Sequence, residues 1–355
     1  MLLNREDEIR QLNSVLKLAE SGIAPKILMT GFRGVGKTAL LKEILKSQPE
    51  NVLTVHIDLS EIQNARPKAE DVLEELCRNL VKKINMNDEI YIKIKYGLGN
   101  YIQSHYNADV FNLESETIRK NCPMFARFIL ELAGNIVSGC ERYDSAVIAF
   151  DEIELFGAMD DREQFISMIA KSAANQPEVA YIFCGSLANS CKLTDMINEA
   201  FKSRMLHLIL KPFTKKQTED YLEKCIPDVK LTDEGFEMLY ALTRGIPAYV
   251  KDISKSLPKD RKCDENTVKM AMTSDIGPWK DICNRLSQRE RQILTCISQS
   301  EKPTVQKLYG ELDMQKRDID EKLDFLVNTG IVVRINSKLM IPDLMLDEFL
   351  KHEVN

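Results

Sequence analysis

The run Gly31-Phe32-Arg33-Gly34-Val35-Gly36-Lys37-Thr38 constrains the fold of this chain more than any other feature. It is a G-x-x-x-x-G-K-[ST] pattern set between a short aliphatic strand pattern, Lys26 to Thr30, and a helical pattern from Thr38 to Lys46. Glycines at these positions let the backbone curl until successive N–H groups converge, and the following helix adds the positive end of its dipole. Such a loop holds a polyphosphate. Gly31 through Ala39 are therefore the expected nucleotide-binding residues, with Lys37 reaching the β- and γ-phosphates and Thr38 offering its hydroxyl to Mg2+. A glycine turn followed by a chance Lys-Thr is the bland alternative, and the strand before and helix after weigh against it.

Four more aliphatic runs extend the pattern: Val52 to Ile57, Ala146 to Phe150, Val179 to Phe183 and Leu206 to Leu210. Separated by helical spacing rather than hairpin turns, they read as buried strands of a five-stranded parallel sheet with helices on both faces, an α/β core. Asp151 and Glu152 directly follow the third run, at the carboxyl edge where such sheets bind ligands. Asp151 is suited to a magnesium ion and Glu152 to polarising an attacking water as general base. Acids after strands also serve merely as caps or hydrated groups, and it is the preceding loop that favours the chemical reading.

The core is expected to span residues 1–212, with a mostly helical insertion at 60–145. Within it, Asp71 to Leu80 and Met124 to Val137 have helical spacing, whereas Tyr91 to Tyr106 shows no clear period. After Pro212 the pattern changes to helices without strands, a helical unit at 213–280. Thr214 with Gln217 forms a capping box, further helices are expected at Asp233 to Thr243 and Ala248 to Leu257, and Gly277-Pro278 breaks the chain. From residue 285 to 355 a new order appears. Ser287 with Glu290 caps one helix, shorter patterns follow at Val305 to Leu312 and Gln315 to Asn328, and Ile331 to Ile335 turns through Asn336-Ser337 into Lys338 to Ile341. Helix, helix, helix, hairpin is winged-helix order.

A formal charge of -6 argues against wholesale electrostatic attraction to nucleic acid, so any such contact has to be local. In the helix at Gln315 to Asn328, Lys316, Arg317 and Lys322 are outnumbered by Asp318, Asp320, Glu321 and Asp324, which leaves Arg334 and Lys338 as the best DNA candidates. Nine cysteines form no CxxC pair, the few histidines are scattered, the N-terminus turns polar at once and no apolar run approaches membrane length. A cytoplasmic chain with no membrane contact is expected.

These residues together resemble the archaeal-type ATPase family within the AAA+/STAND P-loop NTPases, in a layout similar to archaeal origin-initiator ATPases. The resemblance covers about residues 2–275 and 285–350. It implies a sheet of the AAA+/ASCE type, an α-helical lid at 213–280 and a C-terminal winged helix. Asn4-Arg5-Glu6-Asp7-Glu8 looks like the family's segment beside the adenine, with Asn4 where glycine is usual and Arg5 as a nucleotide contact. Phe183-Cys184-Gly185-Ser186 resembles the sensor that watches the γ-phosphate, which gives Ser186 a catalytic part; a plain Gly-Ser turn is the alternative. Ser203-Arg204 resembles the site of the family's arginine finger, against a solvated surface arginine. Gly245-Ile246-Pro247 resembles the lid element near the adenine, with Pro247 as its contact, against a simple proline at a helix start. The arginine many members carry a few residues later is replaced by Ala248, Tyr249 and Val250, leaving Arg244 as the nearest one.

The leading expectation is thus an enzyme that binds and hydrolyses ATP with Mg2+ and switches lid and winged helix between nucleotide states. Its catalytic residues would be Glu152, Lys37, Arg204 and Ser186, with Thr38 and Asp151 on the metal. A nucleotide-dependent DNA-binding initiator or regulator is the alternative, the winged helix could instead face a protein or be autoinhibitory, and a protein partner or a homo-oligomer is an open alternative. A small-molecule P-loop kinase, with an acceptor pocket drawn from residues 60–145, is the minor one.

Overall fold

The computed structural model of the protein describes residues 2–62, 67–83, 122–186, 190–202, 204–272, 283, 286–335 and 337–352. Tyr91 to Tyr106, Gly277-Pro278, Ser203 and Asn336 lie outside the described residues. Five strands, β1 (Lys26–Gly31), β2 (Val52–Asp58), β3 (Ser145–Asp151), β4 (Val179–Ser186) and β5 (Leu206–Leu210), form one parallel sheet in the order β2-β3-β4-β1-β5. Every residue of β3 is buried, as a strand covered on both faces requires.

Alternation along the strands divides the core in two. Ile27, Met29, Val147, Ala149 and Ile182 face helices α1 (Glu6–Leu16) and α2 (Lys37–Ser47), meeting Leu12, Leu16, Leu40, Leu41 and Ile44. Leu28, Ile148, Phe150 and Phe183 face the other way, onto α3 (Ala69–Val81), α4 (Cys122–Gly139), α5 (Arg162–Ala174) and α6 (Ser190–Ala200). The spacing of Leu40, Leu41 and Ile44 puts them on one helical face, which docks α2 on the sheet and so aims its N-terminus at the end of β1. Helices α3 and α4 fall where helical spacing was expected inside the insertion.

Beyond the sheet come α7 (Lys215–Cys225), α8 (Asp233–Thr243), α9 (Pro247–Lys255) and α10 (Glu265–Met272). The expectation of helices without strands needs correction: β6 (Lys230–Leu231) and β7 (Lys262–Cys263) pair in parallel between them. Two residues are too few to show a period of two, so nothing in the sequence marks them. The last segment is α11 (Gln288–Gln299), α12 (Val305–Glu311), α13 (Lys316–Asn328), the antiparallel hairpin β8 (Val333–Ile335) and β9 (Lys338–Met340), and a closing helix, α14 (Leu344–His352), that the sequence reading did not include. Capping boxes at Thr214 and Ser287 form as expected, each hydroxyl accepting from the N3 amide while the N3 side chain accepts from the cap amide. One apolar cluster runs without a break from Leu222 and Leu239 through Tyr249, Val250 and Ile253 to Ile293, Leu323 and Leu350, so helices α7–α10 and the winged-helix segment share a core.

Candidate functional site

The loop after β1 carries its glycines in conformations open to few other residues: φ is 77° at Gly34 and 100° at Gly36. A Cβ on Gly36 would meet nothing within 4 Å, so the left-handed backbone rather than crowding is what calls for glycine there. Lys37 begins α2 and is buried, its Nζ donating to the carbonyls of Gly31 (3.3 Å) and Phe32 (3.1 Å). An ammonium folded back on its own loop is the group nearest to hand for a polyphosphate. Of the remaining loop residues, Val35 is buried, Arg33 and Thr38 are half-buried, and Phe32 and Ala39 are exposed.

Asp151 ends β3 and is 1% exposed. Burial alone would push its carboxyl up, but hydrogen bonds from His56, Cys184, Thr38 and the Glu152 amide outweigh it and hold the group below the usual carboxylate range. The Glu152 N–H donates at 3.0 Å and His56 Nε2 lies 3.4 Å away. A charged carboxylate bonded to the Thr38 hydroxyl is an oxygen pair that fits a hard divalent cation, so the residues present suit magnesium.

Glu152 next to it has a left-handed backbone, φ 54°, an uncommon state for a residue with a side chain and one that clusters at functional sites. Its carboxyl is pushed up to about 8, first by the neighbouring Glu154 carboxylate and then by burial, against Arg33 and Lys37. Arg33 Nη1 stands 3.8 Å from it. After Glu152 the chain makes a tight turn over Ile153–Ala158, pinned by Phe156, which packs edge-on against Phe150 with ring centroids 5.8 Å apart. The turn aims Glu154 at the end of β4. There Glu154 accepts from the Ser186 hydroxyl (2.8 Å) and the Ser186 amide (3.2 Å).

The β1–β4 register sets Ser186 level with Gly31, so Ser186 joins the loop and the two acids at one edge of the sheet. Arg204 does not. It is exposed, and it precedes Leu206, which is level with Ile27 at the opposite end of β1. At about 3.3 Å per residue, roughly 13 Å of strand separates that level from Gly31. Beyond the reach of an arginine side chain, Arg204 could act only on the site of another copy.

Arg5 is 3% exposed, and its guanidinium is committed to the carbonyls of Val35 (3.1 Å) and Lys211 (2.8 Å), to Glu8 (3.1 Å) and to the face of Phe213. It ties the N-terminal segment to the phosphate loop and to the end of β5. Asn4 has φ 60°, which accounts for asparagine where glycine is usual, since asparagine tolerates the left-handed region better than most residues. Pro247 opens α9, and the next residue, Ala248, donates its amide to the Gly34 carbonyl at 3.1 Å. A Cβ on Gly34 would stand 2.8 Å from Ala248 Cβ, so only glycine lets this helix settle on the loop. One residue on, the Tyr249 hydroxyl donates to Asp343, just before α14. A cavity of about 450 Å3 lies between these parts, lined by Phe32, Arg33, Glu154 and Ser186 from the core, Arg244 and Tyr249 from α8–α9, and Ile331 and Asp343 from the winged-helix segment.

Sequence reasoning missed His56, Cys184, Glu154 and the Tyr249–Asp343 pair. The first two were legible in part, because the strands holding them end level with β3 once the sheet order is known. The last pair joins positions 94 apart and left no local signal.

Residues 2–253 match the model of a family described as an ATPase domain predominantly from Archaea. A search of the curated proteins found no match. Among solved structures, the Walker-type ATPase PABY2304 of Pyrococcus abyssi is similar at a TM-score of 0.61 and 18% identity, over 98% of this chain and 96% of that one. The Aeropyrum pernix ORC1 protein, solved in complex with DNA, gives 0.56 and 16% identity over 99% and 93%. The ORC2 protein of the same organism, solved in ADPNP–ADP complexes, gives 0.50 and 15% over 98% and 93%. At such identities the structures speak to the fold: a P-loop ATPase core followed by a winged helix. Among the described residues no helix is long and apolar enough to cross a membrane. With the family model spanning most of its length and the phosphate loop and paired acids at one sheet edge, the chain belongs to the ATPase domains found predominantly in Archaea and is a nucleotide-binding, ATP-hydrolysing enzyme.

Proposed function

We propose that the chain is a molecular switch in which ATP, bound with Mg2+, sets the position of a lid and winged helix that move as one body. The observation that carries this reading is the unbroken path from loop to C-terminus: Gly34 to the Ala248 amide, then Tyr249 to Asp343, backed by one apolar cluster shared by lid and winged helix. A phosphate that pulls on Gly34 pulls on Asp343 too. Three units follow, a core at 1–212, a lid at 213–280 and a winged helix at 285–355.

In this reading the amides of Gly31 through Ala39 cradle the phosphates and Lys37 exchanges the loop carbonyls for phosphate oxygens. Thr38 and Asp151 hold Mg2+, which supplies charge neutralisation on the phosphates. Glu152, beside Asp151 at the carboxyl edge, takes the proton of the attacking water, and with its carboxyl raised to about 8 that capacity grows as pH rises toward this value. Ser186 stands at the γ-phosphate end. Pro247 and Arg5 frame the adenine side indirectly, through the contacts of α9 and the loop, and Arg204 serves the site of a second copy. The reaction needs no membrane and suits the cytoplasm.

What the winged helix meets is a protein surface or a second copy of the chain rather than DNA. Arg334, the best candidate for a phosphate contact, is paired with Asp324 at 3.2 Å, and α13 packs against the turn that follows Glu152. The test is Tyr249→Phe, which deletes the bond to Asp343 and leaves the ring. Small-angle scattering with ADP and with a non-hydrolysable ATP analogue should show two compactnesses for the native chain and a single, more extended one for the variant. An unchanged pair of profiles in the variant would remove the latch from the mechanism.

A further inference from the structure

Glu154 is 5% exposed and spends both carboxylate oxygens on one residue, Oε1 on the Ser186 hydroxyl and Oε2 on the Ser186 amide. Gly185 makes this possible: a Cβ there would come within 2.6 Å of Glu154 Oε2 and 2.5 Å of Ile153 Cγ1. A serine hydroxyl has one proton to give, and here it is given. The two donors at the tip of β4, level with the first residue of the phosphate loop, are therefore both consumed by an acid.

We propose that Glu154 is a positioning residue that biases the nucleotide site toward the diphosphate. It holds the Ser186 donors away from a terminal phosphate and places a buried carboxylate of its own at that edge. A triphosphate carries more charge into that edge than a diphosphate does, and like charges in a poorly solvated site repel strongly. Both effects have the same sign: ADP is held comfortably, and ATP engages Ser186 only by displacing Glu154. Such a bias keeps a switch in its diphosphate state until something else favours exchange. The inference rests on the nucleotide reading of the site.

Calorimetry of ADP and of a non-hydrolysable ATP analogue, each with Mg2+, tests it on the full chain without reference to turnover. Glu154→Gln, nearly isosteric, should raise the affinity for the analogue relative to ADP by about tenfold, because it removes the charge and turns one acceptor into a donor. Gly185→Ala keeps the charge but pushes the carboxylate off Ser186, and should raise the same ratio by about threefold; it decides the matter alone should the first variant fail to fold. Adding Ser186→Ala to Glu154→Gln should cancel part of the gain, which a purely structural Glu154 would not produce. A ratio unchanged in both single variants overturns the proposal. Lys37→Ala separates this from failure of the site itself: if it binds both nucleotides like the native chain, the nucleotide reading falls, whereas if it loses both and Glu154→Gln leaves the ratio alone, only the role of Glu154 falls.

Discussion

The carboxyl edge of the sheet and the winged-helix segment treat charge in opposite ways. At the edge, Asp151, Glu152 and Glu154 lie close together, the Glu154 carboxylate raises the Glu152 carboxyl, and Glu152 is held in a backbone state that side chains rarely adopt. In the winged-helix segment charges pair off: Arg289 with Asp318 at 2.6 Å, Arg334 with Asp324 at 3.2 Å, Lys307 with Glu311 at 3.2 Å. Exposed pairs of this kind contribute about 0–1 kcal/mol each and leave little field outside them. Crowded acids cost stability, and a fold keeps them where they do chemistry. The contrast separates a region suited to chemistry from one whose charges are spent on its own surface.

Glu152→Gln strikes the comparison at its strongest point. Hydrolysis in a steady-state phosphate-release assay should fall by about 10³-fold, the scale of a lost general base, while nucleotide affinity stays within about threefold. A small loss of rate would put the base elsewhere along the edge. Lys37→Ala should weaken Mg-nucleotide binding by about 10²-fold, since a charge-assisted contact to phosphate is worth about 3 kcal/mol at most, and calorimetry reads it directly.

The same contrast explains what the sequence disclosed. The five strands, the loop and the acids after β3 were legible because continuous apolar runs and a glycine pattern are local signals, written in adjacent residues. Helix starts at Thr214 and Ser287 were legible for the same reason. Glu154 gave no local signal, because its meaning depends on Ser186, 32 positions on, and on the missing side chain of Gly185. Arg204 needed less: preceding the last strand of a parallel sheet, it was legible as a residue of the opposite end, and the β1–β5 register adds how far that end lies from Gly31. The parallel pair β6–β7 was invisible at two residues a strand.

Acid crowding also predicts a pH dependence of stability. The folded state raises the Glu152 carboxyl from 4.5 to about 8, so it binds a proton more tightly than the unfolded chain does. The associated stability is present in full below the ordinary value and is lost as pH rises toward 8. With Glu152 about a quarter exposed the full shift overstates the effect, and about 1 kcal/mol is a fair scale. Glu152→Gln should therefore melt about 2 °C above the native chain at pH 8 and show no such advantage at pH 5, by thermal denaturation without nucleotide. An advantage independent of pH would mean that strain rather than charge is relieved.

The smallest effect is expected where charges are already paired. Reversing Arg334 and Lys338 to glutamate removes the best cations of the β8–β9 hairpin, yet Arg334 is engaged by Asp324 and the chain is acidic overall. Duplex DNA affinity at low salt, measured by fluorescence anisotropy, should change by less than about threefold, because a cation neutralised within its own module releases few counterions from DNA. A loss above about tenfold that steepens as salt is lowered would reverse the comparison: the hairpin would then lie on a phosphate backbone, the Arg334–Asp324 pair would be a contact that opens on binding, and the winged helix would be a reader of DNA rather than the load carried by the ATPase.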